Sequence, residues 1–337
     1  MKISFLITFF NQEDYVRKSL DSIISIDKEG LDWEILVGDD NSSDNTLCIV
    51  NEYVKKYPEK IFCYTPKHGD NNEQTVRKSS ENRINLIKNM TGDFFCFLDG
   101  DDNYCNCDFV KKALNVFDKY NDLSVVAFGY RTFSEEEGII KEYSFKTGRL
   151  STEQYIKYNY TPAGACVFKN CFNKFRINVL ENVGYYDDND IILFNLNYGS
   201  LYVNDKIVYS YRQVSNSTYN SMGQIEKAVL NSQSYDVNKE YIDKFKLELA
   251  DRYMEAILLS YFYKVKIKQC LGKDKWSQYR SGCKSIPNSI TYIILNWENS
   301  NYNEKKYVKK EIHRLIKKNF YRALKLIIKK MMRKDIL

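Results

Sequence analysis

Three short apolar segments near the start of the chain each run into a polar turn, and a helix-like segment lies in each interval between them. The apolar segments are Ile3–Phe10, Trp33–Val37 and Phe94–Leu98. Between them, Glu13–Ile26 and Thr46–Lys56 carry apolar residues at helical spacing. Strands that alternate with helices and are apolar on both faces predict an α/β sandwich with a mostly parallel central sheet.

Acid-rich turns follow the second and third of these strands. The turns are Asp39-Asp40-Asn41-Ser42 and Asp99-Gly100-Asp101-Asp102. Ligands of parallel α/β sheets bind at the carboxyl ends of the strands, so we expect both turns to line one crevice. Three carboxylates in four residues repel one another unless they are solvated or bind a cation, and Mg²⁺ and Mn²⁺ prefer oxygen ligands. The second turn therefore predicts a metal–diphosphate site, with a polar helix-capping turn as the alternative.

Composition excludes several other classes of protein. The chain has only two histidines, so a zinc site built on several histidines is excluded. Its nine cysteines form no C-x-x-C pair and are expected to be reduced thiols in a cytoplasmic protein. Neither a G-x-G-x-x-G nor a P-loop motif occurs. The positive net charge of +6 comes from the last 34 residues, which carry thirteen Lys or Arg against three acids. The rest of the chain is not basic, so the sequence does not predict nucleic-acid binding.

The order of motifs over about residues 1–220 resembles family 2 glycosyltransferases of the GT-A fold. The resemblance is carried by the turn after the first strand, by the two acidic turns, by Arg83 between them, by the acids at 187–190 and by Tyr211-Arg212. It implies a Rossmann-like GT-A catalytic domain at 1–220. Val214 stands where many members have a histidine near the diphosphate, so the resemblance leaves Arg212 or the metal to stabilise the leaving group.

The resemblance also implies roles for individual residues. The expected nucleotide-sugar-binding residues are Thr8, Phe10, Asn11, Asp39, Asp40, Arg83, Asp99, Asp101 and Arg212. Asp102, with Asp101 beside it, matches the ligand of a Mn²⁺ or Mg²⁺ ion in the DxD motif. Asp188, preceded by Asp187, matches the catalytic base, and Asp190 is the rival base in the other register.

The resemblance implies an inverting, metal-dependent glycosyltransferase of the hexosyl- or N-acetylhexosaminyl-transferase class. The expected donor is a nucleoside-diphosphate sugar, with UDP as the default nucleotide, and the acceptor is a hydroxyl group of a glycan, a lipid-linked sugar or a protein. Such an enzyme would serve cell-surface glycan synthesis. Two alternatives stay open: a metal-dependent nucleotidyltransferase, which would release pyrophosphate, and a non-catalytic glycan-binding module on the same fold.

Residues 221–337 predict a helical, basic C-terminal region. Its Tyr- and Lys-rich helices up to Asn299 are candidates for acceptor binding or homo-oligomerisation. Residues 305–332 form an amphipathic pattern with a Lys/Arg-rich face. Such a helix either lies on an anionic membrane surface, here the inner face of the cytoplasmic membrane, or packs on the protein with a solvated basic face.

Overall fold

The structure of the protein is a computed structural model that describes most of the chain. It describes residues 1–65, 75–158, 161–172, 188–213, 222–241, 246–284, 286 and 288–324. Of residues 75–79, 158, 188–189, 240–241 and 246–247 only the backbone is described. The chain divides into two compact units, residues 1–214 and residues 215–337.

The first half of the first unit alternates strands with helices in the predicted order. Its elements are β1 Lys2–Phe9, α1 Val16–Ile24, β2 Asp32–Asp39, α2 Thr46–Lys56, β3 Ile61–Tyr64, α3 Thr75–Asn89 and β4 Phe94–Asp99. The four strands are parallel and lie in the order β3-β2-β1-β4. Both faces of β1 are buried, since Phe5 and Ile7 on one face and Leu6 on the other are at most 1% exposed. This two-sided burial is what the apolar runs predicted.

The second half of the unit extends the same sheet with mixed strand directions. Its elements are β5 Asn103–Tyr104, α4 Phe109–Lys119, β6 Leu123–Ser134, β7 Gly138–Tyr143, β8 Gly148–Leu150, α5 Thr152–Tyr158, β9 Cys166–Lys169, α6 Asp188–Leu196 and β10 Ser200–Arg212. The sheet continues from β4 through β9, β6 and β10 to β5. β9 is antiparallel to both β4 and β6, whereas β10 is parallel to β6. The predicted α/β fold is therefore confirmed, with a parallel half and a mixed half.

The second unit is helical in its described residues. Its helices are α7 Gln224–Tyr241, α8 Lys246–Arg252, α9 Met254–Phe262, α10 Ile267–Leu271, α11 Lys273–Gly282, α12 Ile290–Leu295 and α13 Tyr302–Lys318. The fully buried carboxylate of Asp236 accepts hydrogen bonds from the Ser289 hydroxyl and from the N–H groups of Ile290 and Thr291, at 2.7–3.0 Å. These bonds satisfy donors at the start of α12, which an isolated helix leaves unpaired.

The apolar face of the C-terminal amphipathic pattern is buried within the second unit, over the part that the structure describes. Val308, Ile312 and Leu315 of α13 are at most 4% exposed. Asn301 and Glu304 form a capping box that starts the helix. Within the ranges that the structure describes, no helix is long and apolar enough to cross a membrane.

Candidate functional site

The register of β1 brings three strand ends together. Thr8 pairs with Gly38 of β2 on one side and with Asp99 of β4 on the other, and Phe9 pairs with Asp39. Because parallel strands end at the same edge of a sheet, the turns that follow β1, β2 and β4 share one edge. The sequence-predicted residues Thr8, Asp39 and Asp99 thus lie on three neighbouring strands at that edge.

The turn after β1 exposes an aromatic ring and is fastened to the turn after β2. Phe10 is 51% exposed, which is high for a phenylalanine beside a buried strand. Asn11 has a φ of 50°, a left-handed conformation that Asn tolerates better than most residues. Its side-chain oxygen accepts the Ser43 N–H at 2.7 Å, and its own N–H donates to the Ser42 hydroxyl at 2.9 Å. The exposed ring of Phe10 is therefore held at the rim by a rigid turn.

Asp39 presents a buried oxygen that lacks a partner. The residue is fully buried, and its Oδ2 accepts the Ser42 N–H at 3.0 Å. Its Oδ1 has no hydrogen-bond partner among the described residues. An unsatisfied buried carboxylate oxygen is costly, so an N–H or hydroxyl donor from a nucleoside would stabilise the site. The neighbouring Asp40 is partly exposed, and its N–H donates to the carbonyl of Phe9 at 2.9 Å.

Arg83 of α3 reaches the acidic turn after β4. Its Nη2 lies 3.0 Å from Oδ1 of Asp99, and the two side chains are 15% and 32% exposed. The next residue, Gly100, packs so tightly that an added Cβ would collide with the Phe9 ring, the Gln12 side chain and the backbone of Thr8. Only glycine allows this close approach, which presses the acidic turn against the end of β1.

Asp101 carries a charge that its surroundings oppose. Burial, and after it the negative charge of Asp99, raise the pKa of Asp101 to about 6, against the smaller effects of a backbone hydrogen bond and of the Arg212 cation. A cation bound between Asp99 and Asp101 would offset the repulsion between these two carboxylates. Asp101 is partly exposed, so a ligand can reach it.

Asp102, which the sequence predicted as the metal ligand, is buried and fully engaged. Its Oδ1 accepts the backbone N–H of Arg212 at 2.7 Å, and its Oδ2 accepts a short hydrogen bond from the Tyr209 hydroxyl. Only 1% of its surface is exposed. Burial, followed by the charges of Asp101 and Asp99, raises the pKa of Asp102 well above its ordinary value. Each oxygen keeps a second lone pair, but the carboxylate is closed off from solvent, so a metal ion could reach it only if the surrounding groups moved.

Arg212, which the sequence predicted to contact the nucleotide, is enclosed by protein groups. Its side chain is 2% exposed and forms a close ion pair with Glu135. The guanidinium lies over the rings of Tyr15 and Phe133, 4.3 Å and 4.6 Å from their centroids. Its Nε donates to the backbone carbonyl of Asp101 at 2.6 Å. The cation thus fastens the acidic turn to β10, and it is not open to a bound diphosphate in this arrangement.

The segment predicted to hold the base is described in part. Asp187 lies outside the described residues, and Asp188 begins helix α6, of which only the backbone is described at that residue. The rival base, Asp190, is 1% exposed. An acceptor hydroxyl would therefore need a rearrangement to reach Asp190.

The carboxylates of the acidic turn could supply part of the coordination of a metal ion, with a bound ligand supplying the rest. Among the described residues no three His, Cys, Asp or Glu side chains converge as a ready metal site. Mg²⁺, however, is commonly held by one or two carboxylates together with substrate phosphates and water. Asp99 and Asp101 supply such a pair, and burial together with the charge of Asp99 raises the pKa of Asp101, so a bound cation would favour its ionised form. The donor set fits a cation bound jointly with a diphosphate.

Sequence reasoning missed the residues that hold the acidic turn. Tyr209 binds Asp102, Glu135 binds Arg212, and the Ser19 hydroxyl lies 2.7 Å from the carbonyl oxygens of both Gly100 and Asp102. Tyr209 lies two residues before Tyr211-Arg212, on the same face of an extended strand as Tyr211. This two-residue spacing along the strand was the sequence feature that could have pointed to Tyr209. Nothing in the sequence marks Ser19 or Glu135.

The chain belongs to a known family of transferases. The model of glycosyl transferase family 2 matches residues 4–181, which is just over half of the chain. The predicted family 2, GT-A-type assignment is therefore confirmed.

Two of the chain's relatives are bacterial glycosyltransferases. A poly(ribitol-phosphate) β-glucosyltransferase of Bacillus spizizenii is 35% identical over 104 residues, covering 30% of this chain and 15% of the relative. A GalNAc(5)-diNAcBac-PP-undecaprenol β-1,3-glucosyltransferase of Campylobacter jejuni is 26% identical over 208 residues, covering 60% of this chain and 59% of the relative. The chain thus spans less than two thirds of the length of these relatives.

A solved structure shares the fold over nearly the whole chain. Residues 1–349 of Staphylococcus aureus TarS, in complex with UDP-GlcNAc, superpose with a TM-score of 0.57 at 16% identity. The match covers 96% of this chain and 92% of the TarS fragment. At this identity the similarity establishes the fold.

Proposed function

We propose that the protein is an inverting, metal-dependent glycosyltransferase that moves a sugar from a nucleoside-diphosphate sugar to a hydroxyl group of a glycan or lipid-linked acceptor. The observation that carries the proposal is the β1 register, which sets Thr8 between Gly38 and Asp99 and so gathers both acidic turns at one sheet edge. The UDP-GlcNAc held by TarS makes UDP-hexoses and UDP-N-acetylhexosamines the first donors to test. The acceptors named for the two relatives support a role in cell-surface glycan synthesis.

The nucleoside would bind between the turns after β1 and β2. The exposed ring of Phe10 offers a face on which a base can stack. The unpaired Oδ1 of Asp39 would accept a hydrogen bond from the base, and Asp40 and Thr8 line the same edge. Asn11 holds the two turns together, so we assign it to positioning and not to direct contact.

The diphosphate would bind at the acidic turn after β4. We assign the Mn²⁺ or Mg²⁺ ligands to Asp101 and Asp99, in place of the predicted Asp102, because Asp102 is buried behind its bonds to Tyr209 and Arg212 whereas Asp99 and Asp101 are partly exposed. A bound divalent ion would neutralise the charge that develops on the departing diphosphate. Arg83 orients Asp99, and Arg212 positions the backbone of Asp101.

The transfer step needs a base on the side of the sugar opposite the diphosphate. We assign this role to Asp188, because the rival Asp190 is buried. The Asp188 carboxylate takes the proton of the acceptor hydroxyl as the acceptor oxygen bonds to the anomeric carbon. The bond from that carbon to the phosphate oxygen breaks with its electron pair, which leaves a nucleoside diphosphate and an inverted anomeric centre.

Product analysis and one variant pair test the proposal. With Mn²⁺ and UDP-sugars, the protein should release UDP; release of pyrophosphate from nucleoside triphosphates would identify a nucleotidyltransferase instead. The Asp188→Asn variant should keep donor affinity, measured by calorimetry, and lose transfer by about 10²–10⁴-fold. Asp118→Asn, at an exposed position on α4, removes the same charge and should leave transfer unchanged. Normal turnover by Asp188→Asn would rule out the assigned base.

Attachment to a membrane surface is proposed only for the end of the described C-terminal segment. Phe320 and Tyr321 are 55% and 86% exposed, and lysines surround them. Sedimentation with anionic vesicles should fall when both residues are changed to serine, because aromatic side chains favour the membrane interface. Equal sedimentation of this variant and the wild-type protein would remove the proposal.

A further inference from the structure

A cleft in the second unit has the size and lining of a ligand site. Its volume is about 530 Å³, within the range of small-molecule pockets. One wall is formed by α10 and α11, which meet at Gly272, and the other by the end of α12 and the turn after it. The side chains that carry its chemistry are Lys264, Lys268, Lys273, Trp276, Trp297 and Glu298.

Both tryptophans of the cleft are held in place by the surrounding helices. The Trp276 Nε1–H donates to the backbone carbonyl of Leu295 at 2.9 Å. Trp297 packs edge-to-face on Tyr261, with ring centroids 5.6 Å apart. Both tryptophans remain partly exposed. Rings that are fixed before binding lose little conformational entropy when a ligand stacks on them.

Positive charge surrounds these rings. The Lys268 ammonium and the Arg280 guanidinium lie over the Trp276 ring, 4.5 Å and 4.8 Å from its centroid, and the Lys264 ammonium lies 5.2 Å from the centroid of Trp297. Lys268 and Lys273 are exposed, and no carboxylate of the described residues forms an ion pair with either of them. Glu298 is the one acid in the lining, so three lysines outnumber it.

We propose that this cleft binds an acidic glycan, through sugar rings that pack on the exposed parts of Trp276 and Trp297 and phosphate or carboxylate groups bound by Lys268 and Lys273. The face of an aromatic ring carries partial negative charge, which attracts the C–H groups on one face of a pyranose. Lysine ammonium groups bind phosphate and carboxylate as point charges. An ammonium group lies within 5.2 Å of each ring centroid, which suits a glycan whose sugars carry anionic groups.

This site goes beyond the proposed function, because it lies wholly within the second unit and uses none of the residues of the sheet edge. A glycan bound there would raise the local concentration of an acceptor chain without taking part in the transfer step. Loss of transferase activity would not remove this site, and loss of this site would not abolish UDP binding.

The chain offers a built-in reporter for the test. It contains three tryptophans, and two of them line the cleft; Trp33→Phe removes the third. In that background, a phosphorylated oligosaccharide and an oligogalacturonate should each be titrated against neutral maltotetraose at 0.15 M salt. We expect tryptophan emission to change on titration with at least one acidic ligand and not with the neutral one. The ligand that changes the emission shows whether the cleft recognises phosphate or carboxylate groups.

A charge-matched pair of variants separates the cleft from general electrostatics. Lys268→Glu/Lys273→Glu should weaken binding of the acidic ligand at least tenfold. Lys309→Glu/Lys310→Glu makes the same charge change on the exposed face of α13 and should alter affinity less than twofold, because salt screens distant charges. Equal weakening by both pairs, equal binding of the neutral glycan, or no binding of either acidic ligand would overturn the proposal. UDP affinity, measured on the same samples, reports separately on the first unit.

Discussion

Tyr209 of β10 donates its hydroxyl hydrogen bond to the carboxylate of Asp102, 107 residues earlier in the chain. The ring of Tyr209 in turn fills the space beside Gly164, where an added Cβ would collide with it. One buried tyrosine therefore fixes the acidic turn after β4 from behind, while Arg212 holds the same turn through its backbone and side chain. The position of Asp101 at the crevice depends on this support.

Removing the Tyr209 hydroxyl should destabilise the protein and weaken donor binding. Tyr209→Phe leaves one buried oxygen of Asp102 without its donor, which should lower the free energy of unfolding by about 1–3 kcal/mol. Urea denaturation measures this loss, and calorimetry with UDP and Mn²⁺ measures the second effect. Tyr202→Phe, on the same strand but with its ring stacked on Tyr120, is the control and should cost less than about 0.5 kcal/mol. A Tyr209→Phe protein as stable as the control would contradict the supporting role.

Asp101 and Asp102 should respond in opposite ways to the same substitution. Asp101→Ala should abolish Mn²⁺-dependent donor binding while leaving the urea midpoint unchanged or higher, since burial and Asp99 oppose its charge. Asp102→Ala should instead lower stability by about 2–4 kcal/mol, because it strands the donors on Tyr209 and Arg212. Denaturation and calorimetry on both variants decide the assignment. If Asp102→Ala alone lost metal dependence at full stability, Asp102 would be the ligand after all.

The sequence predicted the strands and their acidic ends well because those features are local. An apolar segment that ends at Asp39 or Asp99 contains the residues that indicate both the strand and the turn after it. Which acid of the second turn faces the crevice is not local information. Asp101 and Asp102 look alike in sequence, and the partners that bury Asp102 lie more than 100 residues away.

The directions of the strands after β4 could not be predicted from the sequence either. β9 is four residues long, yet it enters the sheet between β4 and β6 and reverses the local direction. A short apolar stretch such as Cys166–Lys169 carries no signal of its neighbours, because strand pairing is decided by tertiary packing. The prediction of a mostly parallel sheet therefore holds for β1 to β4 and fails to anticipate the mixed half.

Asp39→Asn should reduce nucleotide affinity without unfolding the protein. An amide in place of the unpaired Oδ1 no longer offers a charged acceptor to the nucleoside, which should weaken UDP binding by about 10–100-fold, or 1–3 kcal/mol. The Oδ2 contact to the Ser42 N–H can be kept by the amide oxygen. Calorimetry measures the affinity, and Asp32→Asn at the exposed start of β2 is the control. Unchanged UDP affinity in Asp39→Asn would show that the uracil ring does not bind at Asp39.

Glu34, at the opposite end of β2, should make stability depend on pH in the acid range. Its carboxylate accepts hydrogen bonds from the Ser4 hydroxyl and the Thr91 N–H, at 2.6 and 2.7 Å, and forms an ion pair with Lys2 at 2.7 Å. Burial raises the pKa of Glu34, but the bonds from Lys2, Ser4 and Thr91 outweigh it, so the pKa lies below its ordinary value of 4.5. The unfolded chain therefore binds a proton more readily than the folded protein, and stability from this group is present above pH 4.5 and lost as pH falls through the folded pKa.

Glu34→Gln should remove that dependence along with the charge-assisted bonds. At pH 7 it should cost about 2–3 kcal/mol in urea denaturation, because hydrogen bonds to a charged, largely buried group are replaced by weaker neutral ones. The difference from wild type should shrink as pH falls below 4.5, where Glu34 of the unfolded chain takes up a proton, and vanish below the folded pKa, where the folded carboxylate is protonated as well. Glu29→Gln, whose side chain is 88% exposed, changes net charge equally and should track the wild-type curve at every pH. A gap between Glu34→Gln and wild type that stayed constant down to acid pH would show that the carboxylate charge contributes nothing to the fold.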